Sequence, residues 1–141
     1  MDRSASAVWH GGLKDGKGTI STQSGTLKDT QYSFSTRFEN GVGTNPEELI
    51  AAAHAGCVSM ALSGQLTAAE LPPKSIETTA VVTLEKTDAG FTVTKIHLTT
   101  KATIPGIDKA KFDELATKAK EGCPISRLLK AAEITLDATL V

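Results

Sequence analysis

The two cysteines are the residues best placed to do chemistry: Cys57 in His54-Ala55-Gly56-Cys57-Val58-Ser59-Met60, and Cys123 in Gly122-Cys123-Pro124. In a reducing compartment two thiols seldom form a permanent staple, so the pair points to a transient, catalytic disulfide. Each has a plainer reading. A cysteine in a helix of small residues is most often an inert buried hydrophobe, and one at a helix N-terminus can stand in for a serine cap. Cys123 precedes Pro124, a first-turn proline, and exposed helix amides at that point lower a thiol pKa. On these grounds alone Cys123 is the more acidic thiol and the preferred nucleophile.

A metal reading needs more ligands than the chain supplies. His54 and Cys57 share a helix face and Cys123 would be a third ligand, but no fourth is apparent. His10 and His97 lie in strand-like segments without a cysteine or carboxylate at ligand spacing. No metal or other cofactor is expected, and His54 reads as a core or site-edge histidine. Arg37 is one of three arginines, in a segment (Tyr32–Phe38) that reads as a half-buried strand. An arginine turned inward there needs a carboxylate to offset desolvation, and Glu47 is the candidate. Taken singly, Glu47 is a first-turn acid that favours the helix dipole.

These residues must be positioned by one domain. The chain has 141 residues, is 40% hydrophobic and 22% charged, and carries a net charge of −1 from 15 basic and 16 acidic residues. That is a globular composition without the basic patch that nucleic acid or anionic lipid requires. The run Met1–Ser6 has no apolar segment of the export type, so a cytoplasmic protein without a membrane anchor is expected. A single domain over 1–141 is expected as well.

Short strand-like pieces at Ala5–Trp9, Gly18–Thr22 and Tyr32–Thr36, punctuated by glycine turns, predict an antiparallel meander. Asn45, Pro46 and Glu48 then supply an N-cap, a first-position proline and a capping-box acid. They open a long central helix over Pro46–Ala69 that ends before Pro72-Pro73. It is apolar or small nearly all round, which predicts burial on several sides with Cys57 inside. His54, Ser59, Ser63 and Gln65 interrupt it as a membrane span. From Ile76 the period changes to two, and the turn Thr87–Gly90 closes a hairpin whose second strand shifts phase near Lys95. A helix capped by Asp108 runs to Gly122, a short one follows Cys123, and an alternating strand over Ile134–Leu140 ends the chain. The order predicts an α+β architecture without βαβ units.

The motifs Gly43-Thr44-Asn45-Pro46-Glu47-Glu48-Leu49, Ala51-Ala52-Ala53-His54-Ala55-Gly56-Cys57 and Gly122-Cys123-Pro124-Ile125-Ser126 together resemble the OsmC/Ohr family of peroxidases. The element order is similar along essentially the whole chain. The Ohr branch carries its site arginine in an early Gly-Gly-Arg-Asp-Gly turn, where this chain has Gly11-Gly12-Leu13-Lys14-Asp15-Gly16. The OsmC branch is the better match, through Phe34-Ser35-Thr36-Arg37-Phe38 and His54. The resemblance implies reduction of organic hydroperoxides in oxidative or osmotic stress defence, and an intertwined homodimer with sites at the subunit interface. It also implies Cys57 as the attacking thiol, Cys123 as the resolving one, Arg37 and Glu47 as site residues, and an external dithiol as reductant. This reverses the roles that acidity alone gives the thiols, since an acidic Cys123 is the better leaving group when the disulfide is reduced at Cys57. Glu47 and Cys57 are ten residues apart on one helix, about 15 Å by helical rise, so they do not meet directly. A bridging Arg37 or a second subunit must close that gap. The competing readings are a non-enzymatic carrier of small hydrophobic ligands with incidental cysteines, and a thiol–disulfide exchanger, which the absence of a C-x-x-C disfavours.

Overall fold

The computed structural model describes residues 1–141. They form two compact units, Met1–Leu49 and Ile50–Val141.

In the first unit β1 (Ala5–His10), β2 (Lys17–Thr22) and β3 (Thr30–Tyr32) make the expected antiparallel meander in the order β1-β2-β3. Gly18 lies against the Trp9 and Tyr32 rings so closely that a Cβ there would sit 2.3 Å from Tyr32, and this glycine lets the rings pack at 5.4 Å. The third strand is shorter than its alternation predicts. It stops at Tyr32, and Phe34–Phe38 forms a short helix, α1, that carries Arg37. The cause is a capping box at Ser33: its hydroxyl accepts from the Thr36 amide at 3.3 Å, while its own amide donates to Thr36 Oγ1 at 2.8 Å. Arg37 is therefore on a helix, not on a strand.

The long helix α2 spans Pro46–Ala68 and begins as expected, with the Glu48 amide donating to Asn45 Oδ1 at 2.8 Å. His54, Val58, Leu62 and Leu66 form its buried row, while Ala52, Ala53, Gly56, Met60 and Gly64 stay exposed. The chain itself thus covers one side of α2 rather than several. Length and composition alone would suit α2 to a membrane. Even so, hydrogen bonds from His54 to Ser126 and from Ser59 to Thr78 tie it to the chain's own elements.

In the second unit β4 (Ser75–Thr87) and β5 (Gly90–Thr103) form the hairpin. Its register shifts where Thr83 faces Lys95 but Leu84 faces Val93, leaving Thr94 as the extra residue. This is the predicted phase change, and it turns Ile96 and Leu98 fully inward. Helix α3 (Lys109–Gly122) is capped by Asp108, whose carboxylate accepts from the Lys111 amide at 2.8 Å. Helix α4 (Pro124–Leu128) and strand β6 (Glu133–Leu140) complete the chain.

One feature of the topology departs from expectation: β6 pairs with β5 in parallel, with Ile96 opposite Ile134 and Leu98 opposite Leu136. Parallel neighbours need a crossover, and α3 with α4 supplies it, so the chain does contain a β-helix-β connection. That crossover places the α3–α4 corner over the sheet. The main core gathers Leu62 and Leu66 of α2, Ala102 of β5 and Phe112, Leu115 and Ala119 of α3. A smaller cluster of Val58, Leu98 and Cys123 lies beside it.

Candidate active site

Cys57 lies mid-way along α2 and is half-buried; Cys123 lies at the α3–α4 corner and is fully buried. Their sulfurs meet as a disulfide across 66 residues of chain. The Cα atoms are 6.1 Å apart, within the roughly 4.4–6.8 Å of bridged pairs. Cys123 closes α3 by donating its amide to Ala119 O at 3.0 Å and stands at the N-cap of α4. Its side chain makes no cap hydrogen bond, because the sulfur is turned toward Cys57. Cys57, Ala61, Ala80, Ile125, Ile134 and Leu136 pack around the Val58–Leu98–Cys123 cluster, so the thiol pair sits in apolar surroundings.

His54, one turn before Cys57, is 0% exposed. Its Nε2 lies 2.7 Å from Ser126 Oγ, and its Nδ1 has no hydrogen-bond partner. Burial pushes the imidazole pKa below its ordinary value, so the ring is held neutral. Ser126 did not emerge from the sequence as a functional residue. The available signal was spacing: it follows Cys123 by three, as His54 precedes Cys57 by three.

In the first unit the anticipated Arg37–Glu47 pair is formed. Arg37 Nη2 donates to Glu47 Oε1 at 2.7 Å, and Nε lies 3.2 Å from both carboxylate oxygens. This forked geometry fixes the guanidinium plane, which a lysine cannot reproduce. Asn45 holds the two elements in place, since its Nδ2 donates to Thr36 O of α1 at 3.1 Å while its Oδ1 caps α2. The Arg37 guanidinium also lies 5.3 Å from the centre of the Phe38 ring. Arg37 and Phe38 line a cavity of about 320 Å³ with Trp9, Leu13, Tyr32 and Pro46 among the other walls. Glu47 holds Arg37 from one side, through Nε and Nη2.

The remaining histidine of interest, His97, is not isolated as spacing suggested. The parallel pairing of β5 and β6 brings Asp137 to within 3.1 Å of its Nε2 and Thr135 Oγ1 to within 2.7 Å of its Nδ1. The three groups lie on an exposed sheet face.

An α+β fold in which a helix-borne cysteine meets a second cysteine defines a thiol redox protein. Comparison with known proteins makes the class specific, because the OsmC-like protein family model matches residues 38–138. The chain belongs to that family. It is 56% identical to the peroxiredoxin OsmC of Escherichia coli over 99% of this chain and 97% of that protein. It is 32% identical to the organic hydroperoxide resistance protein OhrB of Bacillus subtilis, over 78% of this chain and 79% of that one. Among solved structures it resembles an organic hydroperoxide resistance protein OsmC from Legionella pneumophila, with a TM-score of 0.72, 26% identity and 96% of each chain covered.

Proposed function

We propose that this chain is a thiol-dependent peroxidase that reduces organic hydroperoxides through a Cys57–Cys123 disulfide in defence against oxidative or osmotic stress. The observation that carries the reading is the meeting of two thiols, 66 residues apart, in a cluster of apolar side chains. The names of the Escherichia coli and Bacillus subtilis relatives support the same substrate class.

In this mechanism the Cys57 thiolate attacks the distal peroxide oxygen, the O–O bond breaks, and alkoxide leaves to be protonated to the alcohol. Cys57 becomes a sulfenic acid, which Cys123 converts to a disulfide with loss of water. An external dithiol then reduces the bridge and returns both thiols. Arg37 stabilises the thiolate and polarises the peroxide, and Glu47 orients Arg37. No cofactor is required.

The protein acts as a cytoplasmic homodimer with its sites at the subunit interface, and residues 1–141 serve as one peroxidase domain. The exposed small-residue side of α2, with Met60 78% exposed, supports a partner there. An unbroken α2 also keeps Glu47 ten residues from Cys57, which favours a partner subunit's Arg37–Glu47 pair at each Cys57.

The test is to mix reduced protein with cumene or tert-butyl hydroperoxide and a dithiol, and to follow peroxide loss. Wild type consumes peroxide catalytically, Cys57→Ser does not, and Cys123→Ser reacts once and accumulates oxidised Cys57. Equal consumption by wild type and Cys57→Ser would leave a non-enzymatic hydrophobic-ligand carrier as the surviving reading.

A further inference from the structure

Two links join α2 to the α3–α4 corner, and only one of them is the thiol pair. Cys57 meets Cys123, and one turn earlier on α2 His54 meets Ser126, one turn later on the other side. The offsets run in opposite senses along the chain, so the contacts form two rungs about 4.5 Å apart by helical rise. They differ in chemistry. Reduction opens the first rung in every catalytic cycle, whereas no redox step touches the second.

We propose that the His54–Ser126 hydrogen bond is a positioning device that keeps Cys123 opposite Cys57 while the disulfide is open, so that the sulfenic acid is resolved before more peroxide reaches it. The inference rests on the peroxidase reading above.

Three observations carry it. First, the corner that bears Cys123 is short: α4 has five residues, and Cys123 is at once the C-cap of α3 and the N-cap of α4. Small rotations of such a corner move the sulfur. Second, Ser126 is 5% exposed and His54 0%, so the bond is shielded from water and no solvent molecule can substitute for either partner cheaply. Third, Nδ1 of His54 is unpartnered, which makes Ser126 the ring's one hydrogen-bonded anchor. A buried orphan N–H is rarer than a buried orphan lone pair, so the proton belongs on Nε2, which donates to Ser126 Oγ. Burial favours the same neutral ring by lowering its pKa.

The step served is condensation. The Cys123 thiolate attacks the sulfenic sulfur of Cys57, the S–S bond forms as the S–O bond breaks, and hydroxide leaves as water after taking a proton. Two electrons pass from the Cys123 sulfur to the Cys57 sulfur, which the hydroperoxide had oxidised. The competing fate is attack of the Cys57 sulfenate on a second hydroperoxide, which gives a sulfinic acid that the external dithiol does not restore. Position decides between them, since one route is intramolecular and the other is not.

The test separates the two steps in single turnover. Reduced wild type, Ser126→Ala, His54→Leu and His54→Gln are mixed with cumene hydroperoxide. Loss of Cys57 thiol, capture of sulfenic acid by dimedone, disulfide and sulfinic acid are followed by mass spectrometry. In Ser126→Ala and His54→Leu, condensation slows about tenfold or more, as small misplacements of reacting groups do, while the first oxidation stays within about twofold of wild type. Dimedone adduct and sulfinic acid rise accordingly. His54→Gln, whose amide reaches the Nε2 position, restores much of the condensation rate.

Ser126→Ala removes a single oxygen and keeps the test decisive should His54→Leu fail to fold. Condensation at the wild-type rate in Ser126→Ala would overturn the inference and leave the peroxidase reading intact. Equal slowing of both steps would identify a general packing contact and overturn it too. Wild type that neither loses its Cys57 thiol nor forms a disulfide would overturn the peroxidase reading and this inference together.

Discussion

At the scale of single residues, the Arg37–Glu47 fork and the neutral His54 each make a measurable prediction. Glu47 takes the Nε edge and one Nη2 contact of the guanidinium, so the group is fixed in plane before any substrate arrives. Preorganised donors of this kind do most of their work where charge develops, and removing one typically costs about 10²-fold or more in rate. Arg37→Lys keeps the charge but loses the fork, so the second-order rate of Cys57 oxidation by cumene hydroperoxide should fall about 100-fold in stopped-flow measurements. Glu47→Gln keeps one acceptor for Arg37 and should lose less. Equal rates for wild type and Arg37→Lys would remove the planar fork from the mechanism.

His54 also links stability to pH. Its folded pKa lies below the ordinary value of 6.5 because of burial, so the unfolded chain takes up a proton first as pH falls. The stabilising contribution of the neutral ring is therefore complete above about pH 6.5 and is lost progressively below it, toward the folded pKa. Urea unfolding of wild type and His54→Gln should show the stability difference between them shifting against wild type from pH 8 to pH 5. A pH-independent difference would mean that the ring does not titrate with folding.

At the scale of elements, the Arg37–Glu47 pair depends on how two helices are capped. Asn45 spans both: one side-chain atom caps α2 and the other holds Thr36 O of α1. Asn45→Ala should cost about 1 kcal/mol of stability through the cap alone. It should also lower peroxidase activity by loosening the Arg37–Glu47 geometry, whereas Asn45→Asp, which keeps the cap but not the donor to Thr36, should retain more stability than activity. Thermal unfolding and peroxide kinetics on the pair check this; parallel losses in both variants would reduce Asn45 to a simple cap.

The α2 cap was legible in the sequence because Asn45, Pro46 and Glu48 are the residue types an N-terminus selects. So was the phase shift near Lys95, since a period-two pattern cannot change face without an extra residue. Helix α1 was not legible, because its capping box uses Thr36 where glutamate or glutamine usually sits, and aromatic and hydroxyl residues on either side imitate a strand. The parallel partner of β6 was equally hidden: alternation assigns Ile134, Leu136 and Ala138 to one face but says nothing of which strand lies alongside. For the same reason His97 and Asp137 could not be paired by spacing. At the site, residue types and motif resemblance brought Cys57, Cys123, Arg37 and Glu47 forward, while Ser126, a serine with no motif of its own chemistry, became visible only through its distance to His54.

At the scale of the whole molecule, the proposed shared site builds on the side of α2 that one chain leaves uncovered. Helix α2 exposes Ala52, Ala53, Gly56, Met60 and Gly64, a row of small groups with one flexible thioether that another helix can approach closely. The same helix carries Glu47 in its first turn and Cys57 ten residues later, so its own geometry keeps them apart. In the proposed dimer a second copy packs on α2, covering the row and delivering its Arg37–Glu47 pair to Cys57. This shared-site arrangement makes a prediction that one-chain arrangements do not.

Chains bearing Glu47→Ala retain both thiols but lack the brace for Arg37, and chains bearing Cys57→Ser retain the brace but lack the attacking thiol. Each homodimer should therefore be nearly inactive. When the two are denatured together and refolded as a mixture, about half of the dimers are heterodimers by random association. In each of these, one site combines the intact Cys57 of one chain with the intact Arg37–Glu47 pair of the other, while the second site lacks both. Activity should return to about one quarter of wild type per mole of chain, because half the dimers each carry one working site of two. Separately refolded variants mixed afterwards should show no recovery until subunits exchange. No recovery in the co-refolded mixture, with heterodimers demonstrated by native mass spectrometry, would place the Arg37–Glu47 pair and Cys57 of each working site in the same chain.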